Sequence, residues 1–116
     1  MDYATVAYGT TTGTQVWVTR HSGDAQAMAV SPTGSAVFVT GQVYGTGKIP
    51  HQNYGTIAYR AATGKRLWTA RYDGPAHQQD WAAAVAVSPT SGTVFVTGYS
   101  LGIGTRTDYA TLAYAP

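Results

Sequence analysis

The chain contains no cysteine and no glutamate. The missing Cys removes disulfides, thiolate metal sites and Cys nucleophiles together. The missing Glu leaves only five acids, Asp2, Asp24, Asp73, Asp80 and Asp108. Charged residues make up 10% of the 116 positions, against roughly 25% in ordinary soluble proteins. So little charge is explained in one of two ways. Either much of the surface meets other protein, or a Thr- and Tyr-rich β surface stays soluble through its hydroxyls. The net charge of +2 reflects scarcity rather than a basic patch, since Lys65-Arg66 is the sole adjacent pair among seven Lys and Arg. Nucleic-acid binding calls for a clustered basic stripe, and none is expected here. No apolar run approaches the roughly 20 residues that span a bilayer, so no membrane segment is expected. The opening Met1-Asp2-Tyr3 leads into alternating residues, not a basic stretch and an apolar core, so no signal peptide is read there.

What the chain does contain is a repeat. Asp2-Tyr-Ala-Thr-Val-Ala-Tyr8 returns as Asn53-Tyr-Gly-Thr-Ile-Ala-Tyr59 and as Asp108-Tyr-Ala-Thr-Leu-Ala-Tyr114. Thr12-Gly13 before Trp17 returns as Thr63-Gly64 before Trp68. Ala29-Val-Ser-Pro-Thr33 returns as Ala86-Val-Ser-Pro-Thr90, and Val37-Phe-Val-Thr-Gly41 as Val94-Phe-Val-Thr-Gly98. Four matched blocks in one order define repeat 1 over 2–52, repeat 2 over 53–107 and the start of a third over 108–116, all within one domain of 1–116. Repeats of about fifty residues point to a repeat architecture.

Each unit reads as four strands, rich in Val, Tyr, Thr and Phe and bounded by Ser-Pro-Thr and Thr-Gly turns. About nine strands are predicted, near 2–9, 14–21, 25–31, 35–42, 53–60, 65–73, 82–88, 93–100 and 107–114. Strands such as Ala36-Val-Phe-Val39 are apolar or small on both faces, the pattern of a sheet covered on both sides. The fold class that follows is all-β, about two four-stranded antiparallel β-propeller blades forming a partial propeller. The Ala-rich runs 25–30 and 82–87 suit the crowded innermost strands, and the strand with Trp68 and Tyr72 suits the wide rim.

Ala58-Tyr-Arg-Ala-Ala-Thr-Gly-Lys-Arg-Leu-Trp68 resembles the Trp-docking motif of pyrroloquinoline-quinone-type propeller blades. Ala7-Tyr-Gly-Thr-Thr-Thr-Gly-Thr-Gln-Val-Trp17 is a weaker copy, with Thr14 where Lys is usual, and the two copies carry Gly9 and Arg60 respectively where the motif commonly has Asp. Ala86-Val-Ser-Pro-Thr-Ser-Gly-Thr-Val-Phe-Val-Thr-Gly-Tyr-Ser100 resembles the bacterial seven-bladed β-propeller repeats. The resemblance spans nearly the whole chain and implies a blade fold in a bacterial, usually exported or extracellular, protein. Quinone chemistry is not carried over. Those dehydrogenases use acids facing cofactor and calcium, and here no pair of acids sits on a strand facing the axis. No cofactor is expected.

Recurring residues most simply serve blade packing: Tyr3, Tyr54 and Tyr109, Trp17 and Trp68, Phe38 and Phe95. Single-copy residues gather in the irregular loops 42–52, 74–80 and 99–107, which a propeller places at one end. Variable loops on a rigid scaffold are where binding resides. Tyr44, Lys48, His51, His77, Trp81 and Arg106 are therefore the candidate ligand-binding residues, for a sugar or a peptide. His51 and His77 lack the three convergent ligands of a zinc site, so no metal is expected. No Gly-x-Ser-x-Gly elbow is present, and no catalytic residue is assigned.

The leading expectation is a non-catalytic structural or interaction module that binds itself or other propeller blades as a homo-oligomer. The alternative is an extracellular lectin-like or peptide-binding module, and a remnant of a quinoprotein-type dehydrogenase ranks third. On the first reading, strands 2–21 of one copy complete the blade begun by 82–100 of the next, three or four copies close a ring, and strand 107–114 has to be displaced.

Overall fold

A computed structural model describes residues 2–44, 51–74, 79–101 and 107–115. They form nine strands and no helix: β1 (Asp2–Tyr8), β2 (Gln15–Ser22), β3 (Asp24–Val30), β4 (Ala36–Tyr44), β5 (Gln52–Arg60), β6 (Arg66–Tyr72), β7 (Asp80–Val87), β8 (Val94–Leu101) and β9 (Thr107–Tyr114). All pairings are antiparallel, in sheets of two strands (β1-β2), four (β3-β4-β5-β6) and three (β7-β8-β9). The fold is all-β and is that of a partial, propeller-like stack. Each strand agrees with its sequence expectation to within two residues.

Turn chemistry sets the strand ends. The Thr-Gly pairs place Gly13 and Gly64 at φ of 70° and 76°, the left-handed region that Gly enters without cost. Ser31 Oγ accepts the amides of Ser35 (3.1 Å) and Ala36 (3.0 Å), closing the first Ser-Pro-Thr turn. Gly41 and Gly98 recur for a different reason. Both lie opposite a register shift in the innermost strand, between Ala25 and Ala27 and between Ala82 and Ala84. A Cβ on Gly41 would stand 1.9 Å from the Asp24 carbonyl oxygen, and one on Gly98 would stand 2.0 Å from that of Trp81. Only Gly fits beneath such a bulge.

The middle sheet is covered on both faces, so β4 and β5 are buried along seven consecutive residues each. Toward β1-β2 it sends Val37, Val39, Val43, Ile57 and Tyr59, which close over Tyr3. Toward β7-β9 it sends Phe38, Tyr54 and Ala58, which meet Ala82, Val94 and Val96. Burying each Val, Ile or Phe contributes about 1.5–3 kcal/mol, so these two seams dominate the core. The Ala-rich strands β3 and β7 touch each other, as their small side chains permit.

Candidate interaction surfaces

The two seams are built on one plan. Tyr3 on β1 donates its hydroxyl to the Gly55 carbonyl on β5 at 3.0 Å. One repeat later, Tyr54 on β5 donates to the Ala110 carbonyl on β9, also at 3.0 Å. Burial pushes both phenols well above their ordinary value, with the nearby charges of Asp24 (for Tyr3) and Asp80 (for Tyr54) adding to it. Trp17 tilts against Tyr59 at 6.4 Å between ring centres, and Trp68 against Tyr114 at 5.7 Å. The Trp17 indole also donates to the Ala61 carbonyl at 2.8 Å. Its ring lies so close over Gly64 that a Cβ there would stand 2.8 Å from it. The second seam places Phe38 beside Trp68 at 5.8 Å.

Of the recurring residues, Tyr3, Tyr54 and Phe38 are fully buried, and Trp17 and Trp68 are half-buried. Phe95 and Tyr109 differ from their counterparts, because neither is sealed between sheets among the described residues. Phe95 is 42% exposed and Tyr109 88% exposed. Both project from the side of the β7-β9 sheet that, among the described residues, has no sheet against it, where strand alternation sends Phe95, Thr97 and Tyr99 outward from β8. Recurrence in sequence identified the position on the strand, but whether that face is covered depends on a neighbouring sheet. Ala83, Thr97, Gly98, Tyr99 and Tyr109 line a shallow hollow of about 280 Å³ on this face. A second cleft, of about 490 Å³, follows β1 and β3 and is lined in part by Ala4, Val6, Tyr8 and Met28.

The loop-end candidates divide. Lys48, His77 and Arg106 lie outside the described residues. Tyr44, His51 and Trp81 come together at one rim. Tyr44 is half exposed at the end of β4 and pairs with Gln52. Gln52 accepts a hydrogen bond from the Trp81 indole. His51 Nε2 lies 3.2 Å from Asp73 Oδ1. Sequence reading missed Gln52, which joins Tyr44 to Trp81, because a single Gln beside a strand carries no signal of its own. It also missed Asp80. That carboxylate is 1% exposed and accepts the Ser100 hydroxyl at 2.7 Å and the Gly74 amide at 2.9 Å. A buried charge needs such partners, and these two fasten the chain after β6 to the start of β7 and the end of β8. Among the described residues, no three His, Asp or Glu side chains stand together as metal ligands.

Comparison with family models, with curated proteins and with solved structures finds no match.

Proposed function

We propose that this chain is a non-catalytic, propeller-type module that works by packing its sheet faces against further blades, including those of its own copies. The observation that carries this reading is the display of one residue set in two settings. Val37-Phe-Val-Thr40 on β4 is sealed between sheets, while its copy Val94-Phe-Val-Thr97 on β8 shows Phe95 and Thr97 to solvent. Exposed apolar surface of this kind marks interaction sites. The resemblance of 58–68 to Trp-docking blades supports the reading, because Trp17 rests on the 61–64 turn as a docking Trp would. Static light scattering on the purified chain tests it. The expected mass is a multiple of 12.2 kDa, and a stable monomer at high concentration would overturn the proposal.

A second reading is favoured by the rim where Tyr44, His51 and Trp81 meet around Gln52. An aromatic pair with amide and imidazole groups suits a sugar or an extended peptide in a lectin-like module. A glycan array compared with a Trp81→Ala, Tyr44→Ala double variant tests it. Loss of a reproducible glycan signal in the variant would support it, and no signal from either protein would remove it.

A further inference from the structure

We infer that the free face of the β7-β9 sheet docks the β1-β2 sheet of a second copy of this chain, in the register that the chain already uses twice within itself. The inference rests on the reading of the chain as a self-packing blade module, and it names the partner and the contact.

Within the chain, each sheet-to-sheet step joins a tyrosine hydroxyl on one central strand to a carbonyl on the next. Tyr3 reaches Gly55, and Tyr54 reaches Ala110, both at 3.0 Å. The third tyrosine of the series is Tyr109, which stands almost fully in solvent. The carbonyl position that corresponds to Gly55 and Ala110 in the first copy of the motif is Ala4, on the exposed side of β1. The next donor and the next acceptor thus sit on opposite ends of one stack. Stacking two copies head to tail brings the Tyr109 hydroxyl of one to the Ala4 carbonyl of the other.

The apolar positions follow the same register. Ile57 in the first seam and Leu112 in the second contact the preceding sheet, and their counterpart on β1 is the exposed Val6. Phe38 fills the second seam, and its counterpart on β8 is the exposed Phe95. Thr40 and Thr56 share a buried hydroxyl contact of 3.0 Å. Thr97 and Thr111 make the same contact at 2.9 Å in the open. The free face therefore repeats the middle sheet's side chains and its internal hydrogen bond. The second seam is covered in part by Ala110, Leu112 and Tyr114 on β9, and their counterparts Ala4, Val6 and Tyr8 on β1 of a second copy supply the same outer part of a covering face.

Docking by faces also removes the difficulty of completing a blade edge to edge. β9 pairs with β8 from Val94↔Tyr114 to Leu101↔Thr107, and β1 pairs with β2 from Asp2↔Ser22 to Tyr8↔Gln15. Inserting β1 beside β8 would strip away the first ladder. Stacking leaves both ladders intact, so the expectation that strand 107–114 must be displaced is dropped. The contact is heterologous, and it closes into a ring or runs on. With sheets of two, four and three strands per copy, two copies stack six sheets in all.

Two single variants test the register by sedimentation velocity. Tyr109→Glu places a charge on the free β9 face, and Val6→Glu places one on the free β1 face. Both positions are exposed, and circular dichroism verifies that each variant keeps the native β spectrum. The native chain is expected to sediment above 12.2 kDa and each variant alone as a monomer. The equimolar mixture is expected to regain a species of twice that mass, because each variant retains the face the other has lost. If either variant alone assembles like the native chain, or if the mixture stays monomeric while the native chain assembles, the register is wrong. A native chain that is itself monomeric removes the underlying module reading instead.

Discussion

Phe38 and Phe95 stand at matching positions of β4 and β8, each between two Val residues, yet one is 1% exposed and the other 42%. Tyr54 and Tyr109 match on β5 and β9 and differ more, at 0% and 88%. Local sequence is closely similar in the two sheets, 36–42 against 93–99 and 53–59 against 108–114, so the neighbouring sheets account for the difference. The middle sheet has a sheet on each side, and the β7-β9 sheet has one on a single side. Conformation is therefore written within each repeat, while burial is supplied by the neighbour. The stability of this molecule should follow the second quantity and not the first.

The largest test of that statement is a pair of truncations. Phe38→Ala opens a cavity in a sealed seam and should cost about 3–5 kcal/mol, the range for deleting a buried Phe. Phe95→Ala removes the same atoms from an open face and should cost less than about 1 kcal/mol. Urea denaturation of both variants, at a concentration where the native chain is dispersed, gives the two values. Equal losses would mean that the free face is covered in solution.

A second pair should show no difference. Gly41 and Gly98 serve contacts inside one sheet, each beneath the bulge of its own innermost strand. Gly41→Ala and Gly98→Ala should both be severe, about 3 kcal/mol each, at the upper end of overpacking costs. Thermal unfolding of both variants checks this. If Gly98→Ala proved mild, β7 and β8 would be free to part, and the terminal sheet would be looser within itself as well as less covered.

The seams can also be probed by pH. Tyr3 and Tyr54 have folded-state values raised above the ordinary phenol value of 10.0, by burial first and by Asp24 and Asp80 second. Above that value the unfolded chain gives up these protons before the folded chain does. It then binds fewer protons, so unfolding becomes more favourable as pH rises. The contribution of both phenols is fully present below pH 10 and declines above it. Stability measured from pH 8 to pH 11.5 should fall beyond about pH 10. Tyr3→Phe, Tyr54→Phe should flatten that fall, and an unchanged slope would show that other groups govern the alkaline limit.

Much of this was legible in the sequence. The recurrence of Tyr3, Tyr54 and Tyr109 at one position set the repeat, and the Ser-Pro-Thr and Thr-Gly turns set the strand limits. The recurring glycines mark backbone approaches that tolerate no Cβ. What the sequence left open was which copy of each residue is covered, because coverage depends on sheets contributed by distant residues. The rim site was half legible. Single-copy Tyr44, His51 and Trp81 stood out in irregular segments, but Gln52 and Asp80 act through contacts with residues 29 and 20 positions away. No local pattern encodes such contacts.

The smallest expected effect is the most selective. Tyr54→Phe deletes only a hydroxyl, leaving the Ala110 carbonyl in the seam without its donor. The loss should be about 1 kcal/mol, the net value of a buried neutral hydrogen bond, with the upper end set by the stranded carbonyl. Tyr109→Phe makes the identical change on an open face, and in the dispersed chain it should cost nearly nothing. The comparison sharpens when the measurement is repeated at high concentration, where the proposed docking predicts association. Docking in the repeated register gives the Tyr109 hydroxyl an acceptor at Ala4, so Tyr109→Phe should then weaken association by up to about tenfold, the equivalent of the same 1–1.4 kcal/mol. Sedimentation equilibrium on the two proteins measures this directly. Identical association constants would mean that copies meet without bringing Tyr109 to a carbonyl, and would break the parallel between the inner seams and the outer one.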